Sequence, residues 1–505
     1  MSSTAEMAEI PALVNQVRTS EVTVDGLATQ YLDGLSGNPF NSVVHFDEMP
    51  PTAPSTQPAG DLAIPFAVKG LDHSPEGYPM CEGGIPYLDG LLSDRTHPIV
   101  QRLLDHGAVV VAITASPQAG FRETTWLEKH GDYKNIFTEN IFDRGRSAGG
   151  SSGGSAVLVA GGYVPLATGS DVGGSLRVPA SNNGTPAWKL GPELNILLAI
   201  PPERSLGDLA VDGILARDIR STAYVYDVLT DGVFGFEDAM ESGQPVRLGY
   251  VHDGKFFGKG FSREVALAAD IQAGVLGFNQ VNGVEIRALK EKQLGLNFPK
   301  LGDAFLTVLN NESYLWLADL EQRYNNGGFS REVYEDLVYA LRVIGERMEP
   351  DELKAAKQYM ETQRKAYDTA LDSLGVDAIM TPTMRNLPLP QEESLHLGLD
   401  RLVARTCTMA GLSRLATRIT TSVRWSGAFN EIPVTPVANA LKLPAMTLPL
   451  AWARAQHTES GDQILLPVGI HFMPKSGDNA MLARISGLLE KQSNYRPDGL
   501  RIDNS

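Results

Sequence analysis

The chain has 505 residues, 43 Lys+Arg against 60 Asp+Glu, and a formal charge of −17. That acidic balance speaks against binding nucleic-acid phosphate, which needs basic patches; a composition 43% hydrophobic and 20% charged speaks against disorder. Two cysteines, Cys81 and Cys407, exclude a disulfide framework and a multi-cysteine zinc site.

The N-terminal residues lack the basic and apolar regions of a secretory signal. No run approaches the ~18 apolar residues of a membrane span. A soluble, cytoplasmic protein is expected. Ile10, Leu13, Val14 and Val17 recur at helical spacing, so the first forty residues read as helix. Leu62–Val68 and the β-branched run at Ala108–Ile113 read as strands. Val157–Ala160 and Val164–Ala167 are also strand-like. Further strands are expected at Arg247–Val251 and Val284–Ile286, with a helix from Ser262 to Gly277 between them. Strands alternating with helices indicate an α/β protein.

From Ala304 to Leu374 the pattern turns helical. Val333, Leu337, Leu341, Ile344 and Met348 keep helical spacing behind Ser330 as a cap, and Asp351–Leu374 forms a second helix. This block is either a surface layer or one wall of a substrate funnel. Ala378–Thr381, Ala445–Leu448 and Val468–Phe472 look like strands returning to the same sheet.

The informative stretch is RSAGGSSGGS at 146–155 followed by GSDVGGSLRVP at 169–179. Gly-Gly pairs next to serines let backbone N–H groups approach a developing negative charge. No lysine follows these glycines as in a P-loop, and no G-x-G-x-x-G or H-x-x-x-H pattern is found. Gly149-x-Ser151-x-Gly153 matches the nucleophile elbow of α/β-hydrolases, with His457 and His471 as partners lacking a recognisable context. The other serine-hydrolase scheme uses a lysine base, neutral only if burial lowers its pKa. Lys69, at the end of an apolar strand, meets that need.

These segments resemble the amidase signature family. The likeness runs in order through IPFAVKG, GGSSGGSA, GSDVGGSLRVPAS, DGILARDIRSTAYVYDVL (212–229), DAIMTPT (377–383), KLPAMTLPL (442–450) and LLPVGIHF (465–472). The resemblance implies a central mixed β-sheet flanked by helices on both faces, with a helical layer near the active site. It implies one domain over 1–505: an N-terminal helical segment 1–60, a core with the catalytic motifs 61–250, a substrate-side helical layer 304–374, and a core return 375–490. It implies hydrolysis of an amide C–N bond by a Ser–cis-Ser–Lys triad. Ser175 is then the nucleophile, Ser151 the bridging serine and Lys69 the base. Backbone N–H groups of Val172, Gly173, Gly174 and Ser175 form the oxyanion hole, while Ser170, Asp171 and Arg177 support the loop. No metal and no cofactor are expected. The expected partner is a small-molecule amide, with no nucleic acid and no membrane, and a homodimer is one open assembly state. The alternative is a non-catalytic amidase-fold subunit or binding module.

Departures from the family pattern are Gly70 where Asp usually follows the lysine, Asn140-Ile141-Phe142 for NPW, Thr114-Ala115-Ser116-Pro117-Gln118 for TNTPE, and Ala187-Trp188-Lys189-Leu190 for GLKP. None removes a triad residue.

Overall fold

The computed structural model describes residues 8–46, 60–130, 133–201, 207, 209–251, 253–257, 260–274, 281–395 and 431–493. Thirteen strands are present among them: β1 (Val43–Phe46), β2 (Pro65–Lys69), β3 (Val109–Thr114), β4 (Trp126–His130), β5 (Tyr133–Phe137), β6 (Leu166–Asp171), β7 (Ala187–Lys189), β8 (Val211–Ala216), β9 (Val246–Tyr250), β10 (Val284–Ala288), β11 (Ala378–Pro382), β12 (Ala445–Gln456) and β13 (Gln463–Pro474). One mixed sheet runs β1-β3-β2-β6-β8, a second runs β10-β9-β11-β13-β12-β7, and β4 and β5 form a separate hairpin. Buried apolar side chains pack against both mixed sheets from helices on either side.

The two mixed sheets meet where β8 and β7 lie side by side. No backbone ladder joins them there. Instead the Tyr226 hydroxyl accepts the Ile214 N–H at 3.2 Å and donates to the Trp188 carbonyl at 2.8 Å. The expected central mixed β-sheet, flanked by helices, is present as two adjoining mixed sheets, and this phenol is one hydrogen-bonding link between them.

Each expected strand from Leu62 onward appears in register with the apolar pattern, except Val157–Ala160. Those residues end the helix Gly153–Ala160, in which every residue is buried. A helix buried on all sides shows no polar face, so periodicity alone cannot separate it from a strand. The N-terminal segment forms two helices, Ile10–Arg18 and Val24–Leu35. The helix after Ser262 runs Arg263–Gly274; residues 275–277 lie outside the described residues.

The helical block has three members, Phe298–Tyr324, Asp336–Glu346 and Pro350–Leu374. Ser330 is not a helix cap. Its hydroxyl accepts the Glu332 N–H within a turn, and the helix begins six residues later than Ser330, at Asp336. The delay has a cause. Tyr334 is tied to Tyr87 and Glu321, and Glu335 donates its N–H to Gln118 and pairs with Arg122. Those contacts hold residues 331–335 in a turn ending at an extended Glu335, so the helix starts only at Asp336. The helix ends at Glu346, before Met348, because Pro350 restricts the residue before it to extended backbone. No described helix is long and apolar enough to cross a membrane.

Candidate active site

Lys69 is the last residue of β2, between β3 and β6, and is fully buried. Its backbone N–H donates to Thr168 Oγ1 at 2.9 Å. Its amine lies 2.9 Å from Ser151 Oγ and 2.8 Å from Ser170 Oγ. Burial pulls the Lys69 pKa down to about 7, against an upward pull from Asp212, Asp171 and Glu82. The nearest opposing charge in sequence, Asp72, is not among these. Gly70 has a packing reason: a Cβ there would sit 2.5 Å from the Thr114 carbonyl oxygen, so no side chain fits after the lysine.

Ser151 follows a cis peptide bond, Gly150–Ser151. Thr125 pins this segment: its N–H and hydroxyl both donate to the Gly149 carbonyl, and its Oγ1 accepts the Gly153 N–H at 3.0 Å. The Ser152 N–H donates to the Ser175 carbonyl at 3.2 Å, which brings the two serine segments together. Ser175 is half-buried in the turn between β6 and the helix Arg177–Asn183. Gly174 in this turn has φ +130°, and a Cβ would meet Thr435 Oγ1 at 2.4 Å.

Asp171 and Arg177 form a buried ion pair behind the turn. Asp171 accepts the N–H groups of Gly174 at 2.8 Å and Leu176 at 3.2 Å, and both Arg177 Nε and Nη2. Burial alone would raise the Asp171 pKa, but Arg177, then Lys189 and the Asn439 hydrogen bond, hold it well below the usual carboxylate range. One expected oxyanion donor is otherwise engaged: the Gly174 N–H is given to Asp171.

His471, one of the histidines considered for an elbow-type site, faces Arg177, with Nε2 2.7 Å from Nη1. Burial and then the Arg177 charge drive its pKa well below the ordinary value. His457 caps its own turn, where Nδ1 accepts the N–H groups of Glu459 and Ser460. Lys189, fully buried in β7, donates to the Leu443 carbonyl at 2.7 Å and the Leu190 carbonyl at 3.2 Å. Burial, reinforced by Arg177, lowers its pKa to about 7.

A cavity with about 480 Å³ of open space, part of it continuous with solvent, lies over Ser151 and Ser170. Leu71, Phe121, Val172 and Trp316 give it apolar walls, and Ser151, Ser170, His73 and Asp212 give it polar ones. Trp316 comes from the helix Phe298–Tyr324, so the helical block contributes a wall.

Sequence reasoning missed His73, Thr168 and Asp212. Among the described residues, His73, His97 and Asp212 are the one His/Cys/Asp/Glu group whose ligand atoms all lie within 4.8 Å of one another. The hydrogen bonds argue against a cation there. His73 Nε2 lies 2.9 Å from Asp212 Oδ1 and Nδ1 lies 3.0 Å from Thr168 Oγ1, so both ring nitrogens are engaged. No local pattern signals this pair, because 139 residues separate its members.

The family model described as Amidase matches residues 62–483. The chain belongs to the amidase family. Lipoamidase of Enterococcus faecalis is 25% identical over 430 residues, which is 85% of this amidase-family chain and 55% of that protein. The 1-carboxybiuret hydrolase subunit AtzE of Pseudomonas sp. (strain ADP) is 36% identical over 176 residues, 33% of this chain and 35% of its own length. The chain thus spans about half of one curated relative and about a third of the other. Among solved structures, 6-aminohexanoate cyclic dimer hydrolase superposes with a TM-score of 0.77 at 19% identity, covering 99% of this chain and 100% of that one. A bacterial aryl acylamidase superposes with a TM-score of 0.72 at 19% identity, covering 97% of each chain. These likenesses establish the amidase-signature fold.

Proposed function

We propose that this chain hydrolyses the C–N bond of a small-molecule amide through an acyl-enzyme on Ser175. The observation that carries the reading is the Lys69 amine: fully buried, brought near neutrality at pH 7, and in contact with two hydroxyls at the cavity floor. Neutral Lys69 takes the proton of Ser151 as Ser151 takes that of Ser175. Ser175 Oγ bonds to the carbonyl carbon and forms a tetrahedral oxyanion. The N–H groups of Val172, Gly173 and Ser175 receive that charge; one such donor is typically worth ~10²–10³ in rate. The C–N bond breaks as the relay returns the proton to the leaving nitrogen. Water then adds to the acyl-enzyme by the same relay and releases the carboxylate. Asp171 and Arg177 hold the turn and take no proton.

The apolar walls at Leu71, Phe121, Val172 and Trp316 favour an amide with an apolar acyl or amine portion of modest size. A linear or a cyclic amide fits that description. The likeness in sequence to a lipoamidase and in fold to 6-aminohexanoate cyclic dimer hydrolase supports an amide substrate.

Labelling by a fluorophosphonate probe, lost in Ser175→Ala, together with a screen of apolar amides, tests the proposal. Wild-type turnover by Ser175→Ala would refute the nucleophile. An unlabelled, inactive wild type that nonetheless binds amides would instead favour the non-catalytic module.

A further inference from the structure

Lys69 must be held in place and must keep enough basicity to take a proton, and the residues behind it are none of those named so far in the relay. This inference rests on the lysine reading just given. We propose that His73 and Asp212 are positioning residues for Lys69: through Thr168 they anchor the end of its strand, and they supply the buried negative charge that faces its amine.

The hydrogen-bond directions define the network. Thr168 Oγ1 accepts the Lys69 backbone N–H at 2.9 Å. Its own hydroxyl proton is then given to His73 Nδ1, 3.0 Å away. With Nδ1 accepting, the ring proton sits on Nε2 and is donated to Asp212 Oδ1 at 2.9 Å. This arrangement uses every donor once.

Register places the charge. Ser170 on β6 and Asp212 on β8 are direct cross-strand partners, so their side chains leave the same face of the sheet. Ser170 touches the Lys69 amine from that face.

Two other carboxylates, Asp171 and Glu82, also act on the amine, and each has partners of its own. Asp171 on β6 is paired with Arg177. Glu82 spends both oxygens on the Asp72 N–H, at 2.8 Å each. Asp212 meets two imidazoles, His73 at 2.9 Å and His97 at 3.7 Å, and no Lys or Arg is paired with it among the described residues. Of the three, Asp212 gives the largest upward pull on Lys69. Burial pushes the Asp212 pKa up, yet His97 and then the hydrogen bond from His73 outweigh that and hold it below the ordinary carboxylate value.

The effect on rate follows. A lysine buried without Asp212 would stay neutral to lower pH but would be a weaker base. Asp212 sets a compromise between the two.

The test uses kcat and KM on one amide across pH, in the full chain. Asp212→Asn is expected to move the acid limb of kcat/KM down by roughly one pH unit. It should lower the alkaline plateau of kcat by about tenfold, with KM little changed. Thr168→Val keeps the shape and removes only the link; it should lower kcat by about tenfold at unchanged KM. Because Thr168→Val is near-isosteric, it remains informative if Asp212→Asn fails to fold. An unshifted acid limb in folded Asp212→Asn, or Thr168→Val within twofold of wild type, overturns the inference. So does a stoichiometric metal ion in the purified protein that is lost in Asp212→Asn, since the same atoms would then be ligands. Lys69→Ala separates the two readings. If it is inactive while Asp212→Asn is unshifted, only the positioning pair falls. If it keeps amide turnover and the same acid limb, both fall together.

Discussion

Two lysines in this protein are buried to the same degree, and burial brings both to a pKa of about 7, yet only one is built for chemistry. Lys69 ends β2 and meets two hydroxyls, Ser151 and Ser170, at a cavity floor. Lys189 lies in β7 and meets two carbonyls, those of Leu443 and Leu190, inside the core. A hydroxyl can surrender a proton to a neutral amine, whereas a carbonyl has none to give. A lowered pKa is therefore necessary for a lysine base, and what decides is the kind of atom placed opposite the nitrogen.

The largest effect expected from this contrast is kinetic. Lys69→Ala and Ser175→Ala should each lower amide turnover by about 10³-fold or more, and the double variant should lose little beyond either single one, because the residues act as a unit. Lys189→Met should keep kcat within about tenfold of wild type while the protein stays folded. A Lys189→Met loss as deep as that of Lys69→Ala would erase the distinction. Activated esters, whose leaving groups need no proton, should suffer less than amides in Lys69→Ala.

Next in size is the pH profile. The acid limb of kcat/KM should lie near pH 7, with activity rising as Lys69 loses its proton. It should persist in Lys189→Met and in His457→Gln. A limb that followed a histidine would revive the elbow-type alternative.

A thermodynamic signature common to both lysines comes third. Each has a folded pKa below that of an exposed lysine, so the unfolded chain binds the extra proton between about pH 7 and 10. Stability therefore rises with pH across that window, and the burial penalty is fully present below it. Either Lys→Met variant should flatten the rise by up to about 1.4 kcal/mol per pH unit, measured from urea midpoints at several pH values. An unchanged slope would mean that the lysine is charged in the folded state.

The smallest expected effect is at the cavity wall. Trp316→Ala should change KM ratios between amides several-fold and leave kcat on a small amide nearly unchanged. Equal loss on every substrate, with lowered stability, would make the helical block a packing layer only.

The candidate site was largely legible because its markers are contiguous. Two glycine-serine runs and a lysine ending an apolar strand stand out in one sequence, and the resemblance assigns them roles. His73 and Asp212 gave no such mark, since a histidine and an aspartate far apart in the chain meet only after β2, β6 and β8 align. The commitment of the Gly174 N–H to Asp171 was equally hidden, because it depends on a side chain folding back on its own turn. For the fold, β-branched runs located most strands correctly. Val157–Ala160 was misread because complete burial hides helical periodicity. Ser330 was misread as a cap because a tertiary contact, Glu335 with Gln118 and Arg122, delays the helix.

The phenol of Tyr226 has a mechanical consequence. Ladder bonds act in rows, whereas here, beside a shared apolar core, a single oxygen serves one donor and one acceptor across the seam. Lys69 and Asp212 belong to the half on one side of that oxygen. The helix that follows Ser175 leans on β12 and β13 in the other half. The turn carrying Ser175 thus touches both sheets, so a loosened seam changes how squarely the serine faces its relay. Tyr226→Phe would leave Ile214 N–H and Trp188 C=O buried without that partner, at a cost of about 1–3 kcal/mol for each orphaned group. Hydrogen exchange at the Ile214 amide should then quicken first, and the same loosening should register as a wider spread of serine orientations at the catalytic turn.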